Sequence, residues 1–202
     1  MSLATYARLA RLGPIIRTGE AAAALDTSLS QASRSMRTLE SQGLATKVRR
    51  GLWLIGTDLI DPRRLADEIT RPYPAYVSFL SALNAHGMID QLPRHITVAS
   101  LDSAKRVRTP VGTYAVHHLP PELFGGWVER DGVKLAEPEK SLFDLAYVSA
   151  VHAGRVRSVP ELDLPSSFDP KRFEHWLGRI RSKRIRTMTQ HGLRKLLERA
   201  AR

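Results

Sequence analysis

The stretch Ser28 to Ile55, S-L-S-Q-A-S-R-S-M-R-T-L-E-S-Q-G-L-A-T-K-V-R-R-G-L-W-L-I, leaves little freedom in how it can fold. Ser28 and Gln31 have capping-box spacing, in which hydroxyl and amide satisfy otherwise orphaned backbone N–H groups at a helix start. Ala32, Met36 and Leu39 recur at i, i+4 and i+7, which draws one narrow apolar stripe along that helix. Gly43 can adopt the left-handed conformation that ends it. At roughly 100° per residue, Ser30, Arg34, Arg37 and Ser41 fall opposite the stripe. Beyond Leu44, the residues Thr46, Val48, Leu52 and Leu54 alternate around Arg49-Arg50-Gly51, which predicts a strand, a tight turn and a second strand. A basic helix followed by a basic hairpin is the layout of a winged helix-turn-helix, and it predicts DNA binding.

The chemistry of that layout assigns roles. Arg34 and Arg37, three apart, have the reach for guanine O6/N7 or flanking phosphates. Ser30 and Gln31 stand near the helix N-terminus, where such helices meet base edges. Lys47, Arg49 and Arg50 at the hairpin would neutralise phosphate or enter a minor groove. The competing structural reading is a protein-interaction module with solvated arginines.

Charge distribution supports a polyanionic partner. The net charge is +11, but it is not spread evenly. Residues 1–56 carry eight Lys/Arg against three Asp/Glu, residues 57–170 twelve against fifteen, and residues 171–202 eleven against two. Two basic ends therefore flank a slightly acidic body. There are no cysteines, which removes disulfides, thiolate nucleophiles and cysteine-ligated zinc. No apolar run approaches the roughly 18 residues that span a bilayer. The amphipathic N-terminus lacks the apolar core of a secretory signal, so the expectation is a cytoplasmic protein with no membrane partner.

Before the opening stretch, a helix is predicted over Leu3 to Leu12, stopped by Gly13-Pro14. A short strand Ile15-Ile16-Arg17 and an alanine-rich helix Glu20 to Leu25 capped by Thr18 follow. Residues 1–56 then read as one winged-helix domain and residues 57–74 as a connection with a short helix from Arg63 to Thr70. Residues 75–202 read as an α+β domain. Its expected parts are a helix from Tyr76 to His86, a strand Ile96 to Ala99, and hairpins Val107–Thr109/Thr113–His117 and Trp127–Glu129/Val133–Leu135. A helix from about Glu139 to Val151 has Pro138 at N1. A loop from Val159 to Pro170 precedes helices Arg172 to Ile180 and Gln190 to Ala201, joined by R-S-K-R-I-R. The expected class is α+β, with a small, mostly antiparallel sheet.

Catalytic and metal patterns are weak. His117 and His118 are neighbours on a strand and point to opposite faces, so one is expected to pack inward and the other to be solvated. Glu137-Pro138-Glu139-Lys140 superficially has the acidic-x-Lys content of a metal-dependent nuclease site. Its spacing and the helix-starting Pro138 spoil that geometry. Glu139 fits better in a first helical turn and Lys140 with Asp144 as an i, i+4 pair. Phosphate-loop, dinucleotide-loop and nucleophile-elbow motifs are absent. The chain is read as a non-enzyme with neither cofactor nor metal. A nucleic-acid-cleaving enzyme is the remote alternative.

Three segments in order resemble the AbiEi family of bacterial antitoxins and transcriptional regulators, the antitoxin half of abortive-infection AbiE pairs. They are G-L-A-T-K-V-R-R-G-L-W-L-I (Gly43 to Ile55), S-F-L-S-A-L-N-A-H-G-M-I-D-Q-L-P (Ser78 to Pro93), and A-E-P-E-K-S-L-F-D-L (Ala136 to Leu145). Ser141 stands where the family usually has a small apolar residue, and the resemblance is not carried onto the basic tail after Asp169. It implies an autorepressor that binds operator inverted repeats through its winged helix. It also implies that the C-terminal domain opposes a nucleotidyltransferase-like toxin, with no stable complex required. His86, Glu139, Lys140 and Asp144 match family motif positions, while their chemistry reads as architecture. The alternative is a winged-helix regulator whose second domain senses a ligand or protein. No heptad seam is visible, so a monomer binding paired half-sites is expected.

Overall fold

The computed structural model describes residues 3–56, 60–152 and 161–200. It is a mixed α+β protein with two sheets, one of three strands and one of six. The N-terminal part runs α1 (Leu3–Ala10), β1 (Ile15–Arg17), α2 (Thr18–Leu25), α3 (Leu29–Ser41), β2 (Ala45–Arg49) and β3 (Leu52–Ile55). Its strands are antiparallel in the order β1-β3-β2. Helix α3 begins and ends as its sequence requires. Ser28 is the N-cap, and Gly43, at φ +72°, follows its last turn. The Leu44 amide donates to the Leu39 carbonyl at 2.9 Å and that of Gly43 to Glu40 at 3.0 Å, the paired bonds of a Schellman end.

Helix α2 starts two residues earlier than expected, and its N-cap is Arg17 rather than Thr18. The Thr18 hydroxyl is otherwise engaged: it accepts from the Trp53 indole N–H at 2.9 Å. The Glu20 carboxylate instead takes the Arg17 amide, at 2.7 Å.

Strand β3 is buried along its whole length. Trp53 and Ile55 pack with Leu9, Ile16, Met36 and Leu39 under the three helices. Leu52 and Leu54 pack the other way, against Leu65, Ile69, Val77 and Tyr114. Residues 60–74, expected to connect two domains, thereby supply core. They form a 3-10 turn, Pro62–Leu65, and α4 (Ala66–Thr70) in place of one helix. At about 1.5 to 3 kcal/mol for each fully buried aliphatic side chain, Leu52 and Leu54 alone make a substantial joint.

The larger sheet contains β4 (Ala75–Val77), β5 (Ile96–Ser100), β6 (Lys105–Thr109), β7 (Gly112–His118), β8 (Trp127–Arg130) and β9 (Val133–Ala136). Their order is β6-β7-β5-β4-β9-β8, with β5/β7 and β4/β9 parallel and the other three neighbouring pairs antiparallel. Both expected hairpins are present. The expected helix from Tyr76 is not: Tyr76 and Val77 are strand, and α5 spans Phe79–Ala85. An aromatic and a β-branched residue suit the sheet centre, where β4 lies between β5 and β9.

Helix α6 (Pro138–Val151) carries Pro138 in its first turn, and α7 (Arg172–Arg179) and α8 (Lys183–Ala200) follow the loop. Helix α8 begins seven residues before the expected Gln190, so the K-R-I-R of the supposed joint is its first turn. Thr57, Val159 and Ala201, boundary residues of three expected segments, lie outside the described residues. Among the described residues, no helix is long and apolar enough to cross a membrane.

Candidate nucleic-acid interface

The cap, stripe and stop of α3 determine which of its side chains face water. Ala32, Met36 and Leu39 are fully buried. Ser30, Arg34, Arg37 and Ser41 are exposed on the far side. Arg37 touches only Ser33 Oγ, at 3.4 Å, and the Ser41 hydroxyl donates to the Thr38 carbonyl at 2.8 Å. Arg34 makes no ion pair or side-chain hydrogen bond among the described residues, so its guanidinium is free for a ligand.

Gln31 is differently placed. Its amide oxygen accepts from the Ser28 amide at 3.2 Å, the Ser28 hydroxyl at 3.1 Å and the Thr27 hydroxyl. The reciprocal bond, Gln31 amide to Ser28 Oγ, is 3.3 Å. The capping box expected from the spacing is formed, and it occupies the acceptor that base reading would need.

The hairpin separates its three cations. Lys47 is exposed, with its ammonium 5.8 Å from the Trp53 ring centre, and its backbone amide donates to Glu40 Oε1 at 3.3 Å. Arg50 is exposed at the turn, where Gly51 at φ +78° allows the chain to reverse. Arg49 is half-buried, and its Nη1 donates to the Ile69 carbonyl at 2.9 Å. A register shift between Lys47 and Arg49 sends the two side chains to different destinations. The exposed face thus gathers Arg34, Arg37, Lys47 and Arg50 with Ser30 and Ser41, while Gln31 and Arg49 hold the scaffold. Arg8 of α1, read from sequence only as a solvated residue, lines a groove with Thr27 and Ser35 beside α3. Only the folded contact between α1 and the α2–α3 turn reveals it.

A second constellation lies at the centre of the body. Lys140 and Asp144 form the expected i, i+4 ion pair, yet both side chains are essentially inaccessible, at 1% and 0% exposure. Asp144 Oδ2 accepts from the Tyr76 hydroxyl at 2.9 Å and the Ser78 hydroxyl at 2.7 Å. Lys140 Nζ donates to the Leu123 carbonyl at 2.7 Å and sits 4.2 Å from the Trp176 ring centre. Burial pushes the Asp144 carboxyl up, against the pull of Lys140 and the two hydroxyls, and burial pushes the Lys140 ammonium down, against Asp144. The Tyr76 hydroxyl is pushed well up by burial and by the Asp144 charge. A sealed, fully hydrogen-bonded pair of this kind organises a core and offers no room to a substrate.

Glu139, at the start of the same helix, accepts from the Asp169 amide at 2.7 Å and so ties down the loop before α7. His86 Nε2 lies 2.7 Å from the Ala136 carbonyl oxygen, which assigns the proton to that nitrogen. Ser78 and His86 from one motif are therefore bonded to Asp144 and Ala136 of the other. His117 packs half-buried with its ring centre 4.6 Å from that of Phe79, and burial together with His152 lowers its pKa. His118 is exposed, its Nδ1 3.1 Å from the Asp102 carbonyl oxygen. Among the described residues, no group of three or more His, Asp or Glu is arranged to hold a metal ion. No protein-family model matches the chain, and no curated protein does.

Proposed function

We propose that the N-terminal part is a winged helix that binds operator DNA, and that the chain is an antitoxin and autorepressor of the AbiEi type. Its C-terminal part would oppose a nucleotidyltransferase-like toxin. The observation that carries the DNA half is the exposed cationic face of Arg34, Arg37, Lys47 and Arg50, backed by a helix whose cap and stripe hold it rigid. Four cations with two hydroxyls and a single nearby carboxylate, Glu40, suit a phosphate backbone far better than an acidic protein patch of irregular shape. In this reading α3 enters the major groove and the hairpin touches backbone or minor groove. The toxin half rests on the three ordered sequence segments, two of which are bonded to each other in the core.

The test has two arms. Full-length protein is titrated with duplex from upstream of its own gene, at several salt concentrations. Co-expression with the adjacent gene product then scores growth. An Arg34→Ala/Arg37→Ala variant should lose operator binding and keep protection. Point variants are needed because removing residues 1–56 would strip Leu52 and Leu54 from the shared core. Unchanged binding by the variant would refute the DNA half; growth arrest of the toxin-bearing strain despite the parent protein would refute the other.

A further inference from the structure

We propose that base reading at the N-terminal end of α3 is done by Leu29, through the 5-methyl group of thymine, and not by Gln31. The proposal rests on the DNA-binding reading above and names what that same face reads. Leu29 is the first residue of α3 and is 62% exposed. Its helical position starts a row with Ser33 and Arg37, at i, i+4 and i+8, that borders the Ser30–Arg34–Ser41 face. The buried stripe of Ala32, Met36 and Leu39 does not include it, so core packing gives no reason for a leucine there.

Gln31 is excluded from the role its type suggests. Bidentate reading of adenine uses the amide oxygen to accept from N6 and the amide nitrogen to donate to N7. The Gln31 oxygen already accepts from the Ser28 amide, and because a backbone N–H can only donate, that bond fixes which end of the side chain is oxygen. With the two hydroxyls also on it, no lone pair remains for a base. At the groove-facing helix end this leaves an apolar side chain, and the apolar feature of a major groove is the thymine methyl.

The test uses full-length protein and a random duplex library. The selected duplex is remade with deoxyuridine replacing thymidine one position at a time, which removes the methyl and leaves base pairing intact. One replacement per half-site should weaken binding about fourfold, the worth of one buried methyl. Leu29→Ala should bind the thymidine and deoxyuridine duplexes equally. Gln31→Ala should keep the parent's difference between them, and circular dichroism checks that both variants remain helical. A parent indifferent to every replacement, or a Leu29→Ala protein that still prefers thymidine, would overturn the assignment while leaving DNA binding intact. A library from which no duplex is enriched would overturn both.

Discussion

Arg17 grips Glu68 side-on: Nε donates to Oε2 at 2.8 Å and Nη2 to Oε1, across 51 residues of chain. The pair joins the end of β1 to α4, and the Arg49 bond to Ile69 makes a second tie between the same two regions. Together with Leu52 and Leu54 they attach the small sheet to the body. The Glu68 side chain is 18% exposed and that of Arg17 31%, so the ion pair is partly screened. Glu68→Ala should lower stability by about 1 kcal/mol. Trp53 lies in the first part and Trp176 in the second, so near-ultraviolet dichroism and fluorescence should follow one coincident urea transition. Two separated transitions would show that the joint is weaker than its packing implies.

Arg49 and Arg50 should behave oppositely despite being neighbours. Arg50→Ala should weaken DNA binding on any sequence and reduce its salt dependence, with the unfolding midpoint unchanged. Arg49→Ala should cost about 1 kcal/mol of stability through the lost Ile69 bond. Filter binding and denaturation on the two variants check this. Equal effects on DNA would contradict the separation.

The buried pair predicts a strong asymmetry between single and double replacement. Lys140→Met leaves the Asp144 carboxylate uncompensated and should cost about 3 to 5 kcal/mol. Adding Asp144→Leu should recover much of that loss. A urea double-mutant cycle measures the coupling, and additive losses would argue against a functioning pair.

His117 should impart a pH dependence of definite sign. Its folded pKa is below the ordinary 6.5, chiefly through burial. The unfolded chain therefore binds the proton first as pH falls through 6.5, and stability declines below that pH until the folded imidazole also titrates. His117→Gln should flatten the slope between pH 7 and 5. Midpoints that fall equally with acid in both proteins would locate the effect elsewhere.

Gly126 combines a positive φ, +76°, with a close neighbour: an added Cβ would lie 2.7 Å from the Trp176 ring. Gly126→Ala should destabilise by about 2 kcal/mol or more, through strain and overpacking. The indole also covers Lys140, so Trp176 fluorescence should shift in the same variant. An unchanged spectrum with full stability would sink the expectation.

How far these features could be read in advance varied with the physics of each segment. Helix α3 was legible end to end because a polar cap, a three-residue apolar stripe and a glycine stop are local signals. Strand β4 was not, since Tyr76-Val77 sits in an apolar run that suits a strand or a helix equally, and only its sheet neighbours decide. The start of α8 was hidden because its first turns carry charge and little apolar pattern beyond Ile185. Lys140 and Asp144 were legible as a pair, whereas their burial depends on Trp176 from a distant helix. At the candidate interface the residue types pointed to one surface. They could not separate Arg49 from Arg50, which a bulge divides, or reveal that capping occupies the Gln31 oxygen.

Strand β3 has core on both sides, and this changes what holds its alignment. In a half-buried strand, polarity forbids a one-residue slip, because the slip would turn apolar side chains to water. Here all four residues are buried and every slipped arrangement is equally greasy. Volume must discriminate instead: one side of the strand admits an indole whose N–H finds Thr18, and the other is lined for two leucines. Exchanging Trp53 and Leu54 would preserve composition, hydrophobicity and strand preference, and would still misalign the small sheet.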